Sequence, residues 1–327
     1  MSEPMRARNR VVVVTGASSG IGRATALAFA DRGCSLVLAA RRETALAEVA
    51  EECTTRGGQA LAVPTDVTDP EAVQRLAGRT LDRFDRIDVW VNAAAVTVFS
   101  PFEDVPLEDF RRVLDVNVMG YVHGARAALP VMRGQRRGVL VNVSSIVAAI
   151  PQPYTHVYGM SKAAVRALST SLRQELRVAG VRGVAVCSVL PASIDTPLFQ
   201  HAANYTGRRA IAMPPVYPVE RVARGIVNLV RLPRREVVVG PMGRNLLMMA
   251  KLTPGLTEKL MAVQVNQTHL SRRQQAPHTA GNLHEPSADG SGSADGGWHG
   301  RRRTAVRRAA TVALLAGAAA ASRRRTR

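Results

Sequence analysis

The sequence predicts a doubly wound α/β fold, a three-layer α/β/α sandwich on a parallel sheet of about seven strands. Three observations predict it. Between residue 11 and about residue 240, short apolar runs alternate with longer segments of helical period. The runs are nearly continuous in Val, Leu, Ile and Ala, as expected of strands buried on both faces. With 46% hydrophobic and 21% charged residues over 327 positions, the chain has the composition of a globular protein and a length that suits one large domain or two small ones.

The strand candidates, in order, are 11–15, 35–40, 60–63, 87–91, 139–143, 184–189 and 237–239. Helical segments between them end at Gly33, at the Gly57-Gly58 pair and at Gly180, residues that close helices well. After Gly240 comes a Met/Leu-rich segment (Leu246, Leu247, Met248, Met249, Leu252, Leu256, Leu260, Met261) broken at Thr253-Pro254-Gly255. It reads as a helical face packing on its own domain or on a dimer partner, with a lid or a membrane-touching surface as the other readings. The folded domain is therefore expected over 1–270. Residues 271–300, rich in Gly, Ser, Pro, His and Gln, are expected to be a flexible linker, because they offer little apolar surface to offset the entropy of ordering. An Arg-rich tail follows over 301–327.

The net charge is +19, but only Lys162, Lys251 and Lys259 are lysines, a bias that points to composition rather than to selection for a polyanionic partner. From Ser271 onward 11 Arg face three acids, net +8, so the tail is the basic part. It reads as a peripheral membrane anchor, with arginines flanking the apolar run 309–321, or as an inert extension. A nucleic-acid tail is the weakest reading, since Trp298 is the only aromatic residue nearby. The run 309–321 would cover about two thirds of a ~30 Å hydrocarbon core, too short to span it. Residues 11–14 are too short an apolar run for a secretory leader, and Cys34, Cys53 and Cys187 form no CxxC pair, so neither disulfides nor a cysteine metal site are expected. A cytoplasmic protein is expected, membrane-associated only if the tail anchors it.

The segment Thr15-Gly16-Ala17-Ser18-Ser19-Gly20-Ile21-Gly22 follows the first strand and opens the first helix. Glycines there let backbone approach a pyrophosphate, while the free N–H groups of the helix face its charge. About 20 residues on, where an NAD-binding acid would stand, the chain has Ala40-Arg41-Arg42. A guanidinium pairs with a 2′-phosphate through its fork of donors, so NADP(H) is favoured over NAD(H), with Arg41 as the main contact and Ser18 or Arg42 in support. The other reading is that these arginines are merely solvated.

Tyr158 and Lys162 stand four apart in Tyr158-Gly159-Met160-Ser161-Lys162, on one helix face. An ammonium beside a phenol favours the ionised phenol and suits it to acid–base work.

TGASSGIG, YGMSK and Ser145, thirteen residues before Tyr158, together resemble the short-chain dehydrogenase/reductase family over about residues 9–262. The resemblance implies a Rossmann fold and a catalytic tetrad of Asn117, Ser145, Tyr158 and Lys162. It further implies cofactor contacts from Gly16, Ser18, Ser19, Gly20, Ile21 and Gly22, from the adenine-side pair Asp66-Val67, from Asn92, and from Pro191, Ile194 and Thr196 on the nicotinamide side. Tyr158 would exchange a proton with the substrate oxygen, Ser145 would hold that oxygen, Lys162 would bind the nicotinamide ribose, and Asn117 would hold a relay water. A homodimer or homotetramer is also implied. Two departures stand out: Asn92-Ala93-Ala94-Ala95 replaces the usual Asn-Asn-Ala-Gly, and Ala192 stands where glycine commonly follows the proline. They keep open a second reading, an NADP-binding scaffold whose catalysis is vestigial. Phe199, Tyr205, Ile211, Met213 and Tyr217, after the nicotinamide-side loop, suggest a lipophilic carbonyl or secondary alcohol as substrate, with a polar sugar or an acyl thioester as the other readings; Arg208 and Arg209 in the same stretch read as facing water or as binding an acidic carrier.

Overall fold

Val11–Thr15 (β1) is four valines and a threonine, buried throughout. In a computed structural model, which describes residues 9–286 and 292–299, its side chains divide between two cores: Val12 and Val14 pack on one face of the sheet and Val13 on the other. β1 pairs in parallel with Ser35–Ala40 (β2) and with Val89–Asn92 (β4). Gln59–Pro64 (β3) adds beyond β2, and Gly138–Val143 (β5), Val184–Pro191 (β6) and Glu236–Val239 (β7) follow outward from β4. The order is β7-β6-β5-β4-β1-β2-β3, with every neighbouring pair parallel. This is the doubly wound sheet the sequence predicts.

Gly20–Ala30 (α1), Glu43–Thr55 (α2) and Glu220–Arg231 (α7) cover one face, through Phe29, Leu46, Ile226 and Val230 among others. Pro70–Phe84 (α3), Leu107–Leu114 (α4), Gly120–Gly134 (α5) and His156–Val178 (α6) cover the other, through Leu76, Val113, Met132 and Val157. The chain runs outward from β1 to β2 and β3 and then returns to β4 on the other side of β1, so the crevice outside the carboxyl ends of β1 and β4 stays open to a ligand. The fourth strand begins at Val89 rather than at residue 87. The intervening Asp88 is fully buried; its carboxylate accepts the Val11 N–H at 3.0 Å and meets Arg10, Arg86 and Arg137.

The Met/Leu-rich segment forms Pro241–Leu252 (α8) and Pro254–Thr268 (α9). Leu246, Leu247 and Met261 pack with Ile146, Val147 and Ile150, so part of the segment covers its own domain. Met248, Leu252 and Leu256 remain exposed.

The described part of 271–300, residues 271–286 and 292–299, carries contacts to the domain that a flexible linker would lack. Leu270–Gln275 forms a strand antiparallel to Arg208–Ala210. Leu283 is fully buried, and Trp298 is buried against Ala212 and Val216. Composition misleads here because Leu283 and Trp298 are buried singly, and described backbone groups near them, such as the Asn282 N–H and the Ser293 carbonyl, hydrogen-bond to the domain. The tail 301–327 lies outside the described residues. Among the described residues, no helix is long and apolar enough to cross a membrane.

Candidate active site

A cavity of about 260 Å³ runs along the crevice at the carboxyl ends of the strands. One end is the β1–α1 turn, where Gly16, Ser18, Ser19, Gly20, Ile21 and Gly22 all lie on the wall. The turn requires its glycines. Gly16 has φ +69° and a Cβ there would come within 2.7 Å of the Ala94 backbone; one on Gly22 would overlap the Gly16 carbonyl oxygen. Ser19, extended, is the residue from which α1 starts.

Arg41 and Arg42 line the same end, just beyond β2, with Asp66 and Val67. Burial alone would raise the Asp66 carboxyl, but hydrogen bonds from Thr68 and the Arg112 guanidinium, 2.9 Å away, hold it below the usual carboxylate range. Pro191, at the end of β6, and Ile194 and Thr196, in the loop after it, also line the cavity.

Ser145, Tyr158 and Lys162 converge at the inner part of the cavity. Ser145 follows β5 and opens a short 3₁₀ turn, while Tyr158 and Lys162 occupy the first turns of α6. Lys162 is 1% exposed, and its ammonium donates to the Tyr121 hydroxyl and to the Val143 carbonyl, each at 3.1 Å. It lies 5.5 Å from the centre of the Tyr158 ring. Burial dominates both titrations: the Tyr158 phenol is pushed up to about 12, with the Ser145 hydroxyl pulling the other way, and Lys162 is brought down to about 7. The phenol is therefore a proton donor across the neutral range. The neighbouring ammonium is charged below about pH 7 and loses its charge as the pH rises through that value. If carbonyl reduction uses both groups, its kcat/KM falls above about pH 7, a limb that a profile from pH 5.5 to 9.5 would reveal; a flat profile would contradict it.

Two residues expected in the site lie behind it. Asn117 is fully buried in a wide π turn, Asp115–Met119, between α4 and α5. Its amide accepts from the Val96 N–H and donates to the Val96 carbonyl and to Ser161 Oγ, and Ser161 Oγ donates to the Tyr158 carbonyl at 2.7 Å. Asn117 thus fixes the turn that carries Tyr158 rather than lining the cavity. Asn92, expected at the cofactor, is buried in a chain of amides: Trp90 donates to Asn92, Asn92 to Asn142 on the adjacent strand at 2.9 Å, and Asn142 to Ser169. This amide pair links β4 to β5. The Ala93 backbone N–H meets Thr15 Oγ1 at 3.2 Å, and the Ala192 methyl is accommodated because Gly240 and Gly243 face it. With both departures present, Ser145, Tyr158 and Lys162 all line the cavity. Ser144 is also set apart from Ser145, since its hydroxyl donates to the Lys162 carbonyl.

The structure adds residues that sequence reasoning missed. Tyr121 receives the Lys162 ammonium, and only its position one turn after Asn117 could have hinted at this. Thr155 and Ser193 line the cavity with hydroxyls that have no hydrogen-bond partner among the described residues. His269, at the end of α9, reaches the wall between Phe99 and Phe199. Burial brings its imidazole down to about 4, so it is neutral, and because Nδ1 faces the Ile211 carbonyl, Nε2 is left as an acceptor. No local motif marks this histidine.

The site fits a dinucleotide: a glycine cradle that a Cβ would fill, a helix N-terminus and a cation at one end, unpartnered hydroxyls and a Tyr–Lys pair at the other. The family model for short chain dehydrogenases matches residues 10–205. An uncharacterized oxidoreductase, YxnA of Bacillus subtilis, is 37% identical over 256 residues, 78% of this chain and 72% of the relative. A short chain dehydrogenase/reductase from Burkholderia phymatum, solved with NAD, superposes with a TM-score of 0.72 at 28% identity, covering 78% of this chain and 97% of that one. An alcohol dehydrogenase from the archaeon Thermococcus sibiricus, complexed with 5-hydroxy-NADP, gives 0.62 at 27% identity, over 71% and 96%.

Proposed function

The chain belongs to the short chain dehydrogenase family, and on that premise we propose that it is an NADP-dependent oxidoreductase interconverting a lipophilic carbonyl compound and its secondary alcohol. The observation that carries the reading is the meeting of Ser145, Tyr158 and Lys162 in one cavity with the glycine cradle. Bound there, the nicotinamide supplies or accepts hydride, chemistry that no side chain can provide. Gly16 to Gly22 and the α1 N-terminus would take the pyrophosphate, Asp66 and Val67 the adenine side, and Pro191, Ile194, Thr196 and Ser193 the nicotinamide side.

The protein's own part is alignment and the proton. Ser145 holds the substrate oxygen, and Tyr158 donates its proton to that oxygen in reduction and removes it in oxidation. Lys162 raises the acidity of the phenol while it is charged, and Asn117 is a positioning residue acting through Ser161. Phe99, Phe199 and Met213 make the substrate end apolar, with the His269 acceptor set among them.

The absence of an acid after β2 and the position of Arg41 support NADP(H). Arg41→Ala is expected to lower the ratio of NADPH to NADH affinity by about 10- to 100-fold, the worth of charge-assisted hydrogen bonds to a phosphate. Titration of both dinucleotides into the two proteins checks this. An unchanged ratio would remove Arg41 from cofactor choice.

A further inference from the structure

At the adenosine, pyrophosphate and nicotinamide ends of the proposed dinucleotide site, polar groups of the domain are already in contact with the chain's own C-terminal segment. At the adenosine end, Arg41 donates to the carbonyls of Asn282 (2.7 Å), Leu283 (3.3 Å) and His284 (2.7 Å), and Arg112 donates to Leu283 at 3.0 Å. At the pyrophosphate end, the backbone N–H of Gly20, first residue of α1, donates to the Ser293 carbonyl at 3.0 Å, and Arg23 donates to the Gly292 carbonyl. At the nicotinamide end, Asp195 accepts the backbone N–H groups of Gly296 (2.9 Å), Trp298 (2.8 Å) and His299 (2.7 Å). The Trp298 indole donates to the Thr196 carbonyl at 3.2 Å.

We propose that residues 282–286 and 292–299 are an intramolecular strap that competes with the dinucleotide, its carbonyl oxygens taking donors that phosphate oxygens would otherwise receive. A guanidinium fork aimed at three carbonyls does not give the same protons to a 2′-phosphate, and an N–H of the helix end bonded to Ser293 does not face a pyrophosphate. The strap is built to lie this close. A Cβ on Gly296 would overlap the Thr196 carbonyl oxygen, and one on Gly292 would come within 2.5 Å of the Arg23 guanidinium and 3.1 Å of the Ser18 carbonyl. It is also latched outside the anchors: His284 Nε2 lies 2.6 Å from Asp109, whose other oxygen takes the Tyr205 hydroxyl, and Leu283 and Trp298 are its two apolar pins. Charged phosphates out-compete neutral carbonyls for the same donors, so the dinucleotide displaces the strap at the cost of weakened apparent affinity.

The inference rests on the dinucleotide reading of the site. Its test uses the full chain and two variants within the strap, which meets the proposed cofactor site at the Thr196 backbone carbonyl: Gly296→Val, which crowds the strap off that carbonyl, and Trp298→Ala, which removes its far pin. NADPH and NADH dissociation constants are measured by titration, and hydrogen exchange of peptides covering 282–286 and 292–299 is followed with and without NADPH. Both variants are expected to bind NADPH more tightly, by about tenfold if the open form is about a tenth of the wild-type population. Exchange in the strap of the wild-type protein is expected to rise when NADPH binds. Equal or weaker NADPH binding by both variants, or strap exchange that falls with NADPH, would overturn the strap while leaving the dinucleotide reading intact. No binding of either dinucleotide by any of the three proteins would overturn that reading and the strap with it.

Discussion

Replacing Tyr158 with phenylalanine is expected to lower kcat/KM for carbonyl reduction by about 10²- to 10⁴-fold, the usual worth of a positioned general acid. The ring keeps its packing beside Ile146 and Val147, so the loss isolates the hydroxyl. That hydroxyl is the group the cavity presents beside Ser145, and burial holds it protonated up to about pH 12. The NADPH dissociation constant should be nearly unchanged, because the phenol is assigned to the substrate oxygen rather than to the dinucleotide. Steady-state kinetics and a binding titration on the same preparation check both halves. Activity retained within about tenfold would mean that the proton comes from another group.

Lys162→Met is expected to separate stability from activity. Lys162 is fully enclosed, and burial brings its ammonium from the ordinary 10.5 down to about 7, so the folded protein carries a cost for charging it at and below neutral pH. At 1.36 kcal/mol per pK unit that cost is on the order of a few kcal/mol. Between about pH 7 and 10.5 the unfolded chain binds the proton that the folded chain has lost, so this residue makes wild-type stability rise with pH through that window. Methionine fills a similar volume without the charge. It also orphans no acceptor, since the Val143 carbonyl keeps its hydrogen bond from the Tyr121 hydroxyl at 2.9 Å. The variant should therefore melt higher than the wild type at pH 6 to 7, by roughly 2–4 °C per kcal/mol recovered, with the difference shrinking toward pH 10. Its kcat/KM should fall by about 10²-fold or more, through loss of the charge beside Tyr158. Thermal melts across pH with parallel kinetics measure this. A lower melting point at pH 6 would contradict the buried-charge argument.

The sheet was legible in the sequence because a strand buried on two faces must be apolar at every position, and β1, with valine at 11 to 14, shows the rule in its simplest form. Boundaries were less legible where a side chain interrupts the pattern from inside, as Asp88 does before β4. The glycine turn and the Tyr158–Lys162 pair were legible because their spacing is local. Asn117 was found by motif, but its part was not, since the π turn that buries it depends on contacts to Val96 and Ser161 across the chain. His269 and the strap were illegible for a related reason. One is a lone histidine brought to the cavity by tertiary packing. The other is held mainly through backbone N–H and carbonyl groups, which every sequence has and none displays. The arginine excess also reads differently in the structure: Arg10, Arg86 and Arg137 surround Asp88, Arg166 pairs with Glu236 at 2.6 Å, and Arg23 and Arg56 share Glu52. Part of the positive charge is thus engaged within the domain.

Oxidation of NADPH and NADH by the full-length protein, side by side over a panel of steroid-like, isoprenoid and fatty ketones and aldehydes, measures catalysis, cofactor choice and substrate class together. The expected result is turnover of at least one lipophilic carbonyl, faster with NADPH than with NADH and lost in Tyr158→Phe. Dinucleotide binding without turnover of any carbonyl or alcohol tried, indifferent to Tyr158→Phe, would contradict it and leave a nucleotide-binding scaffold in its place.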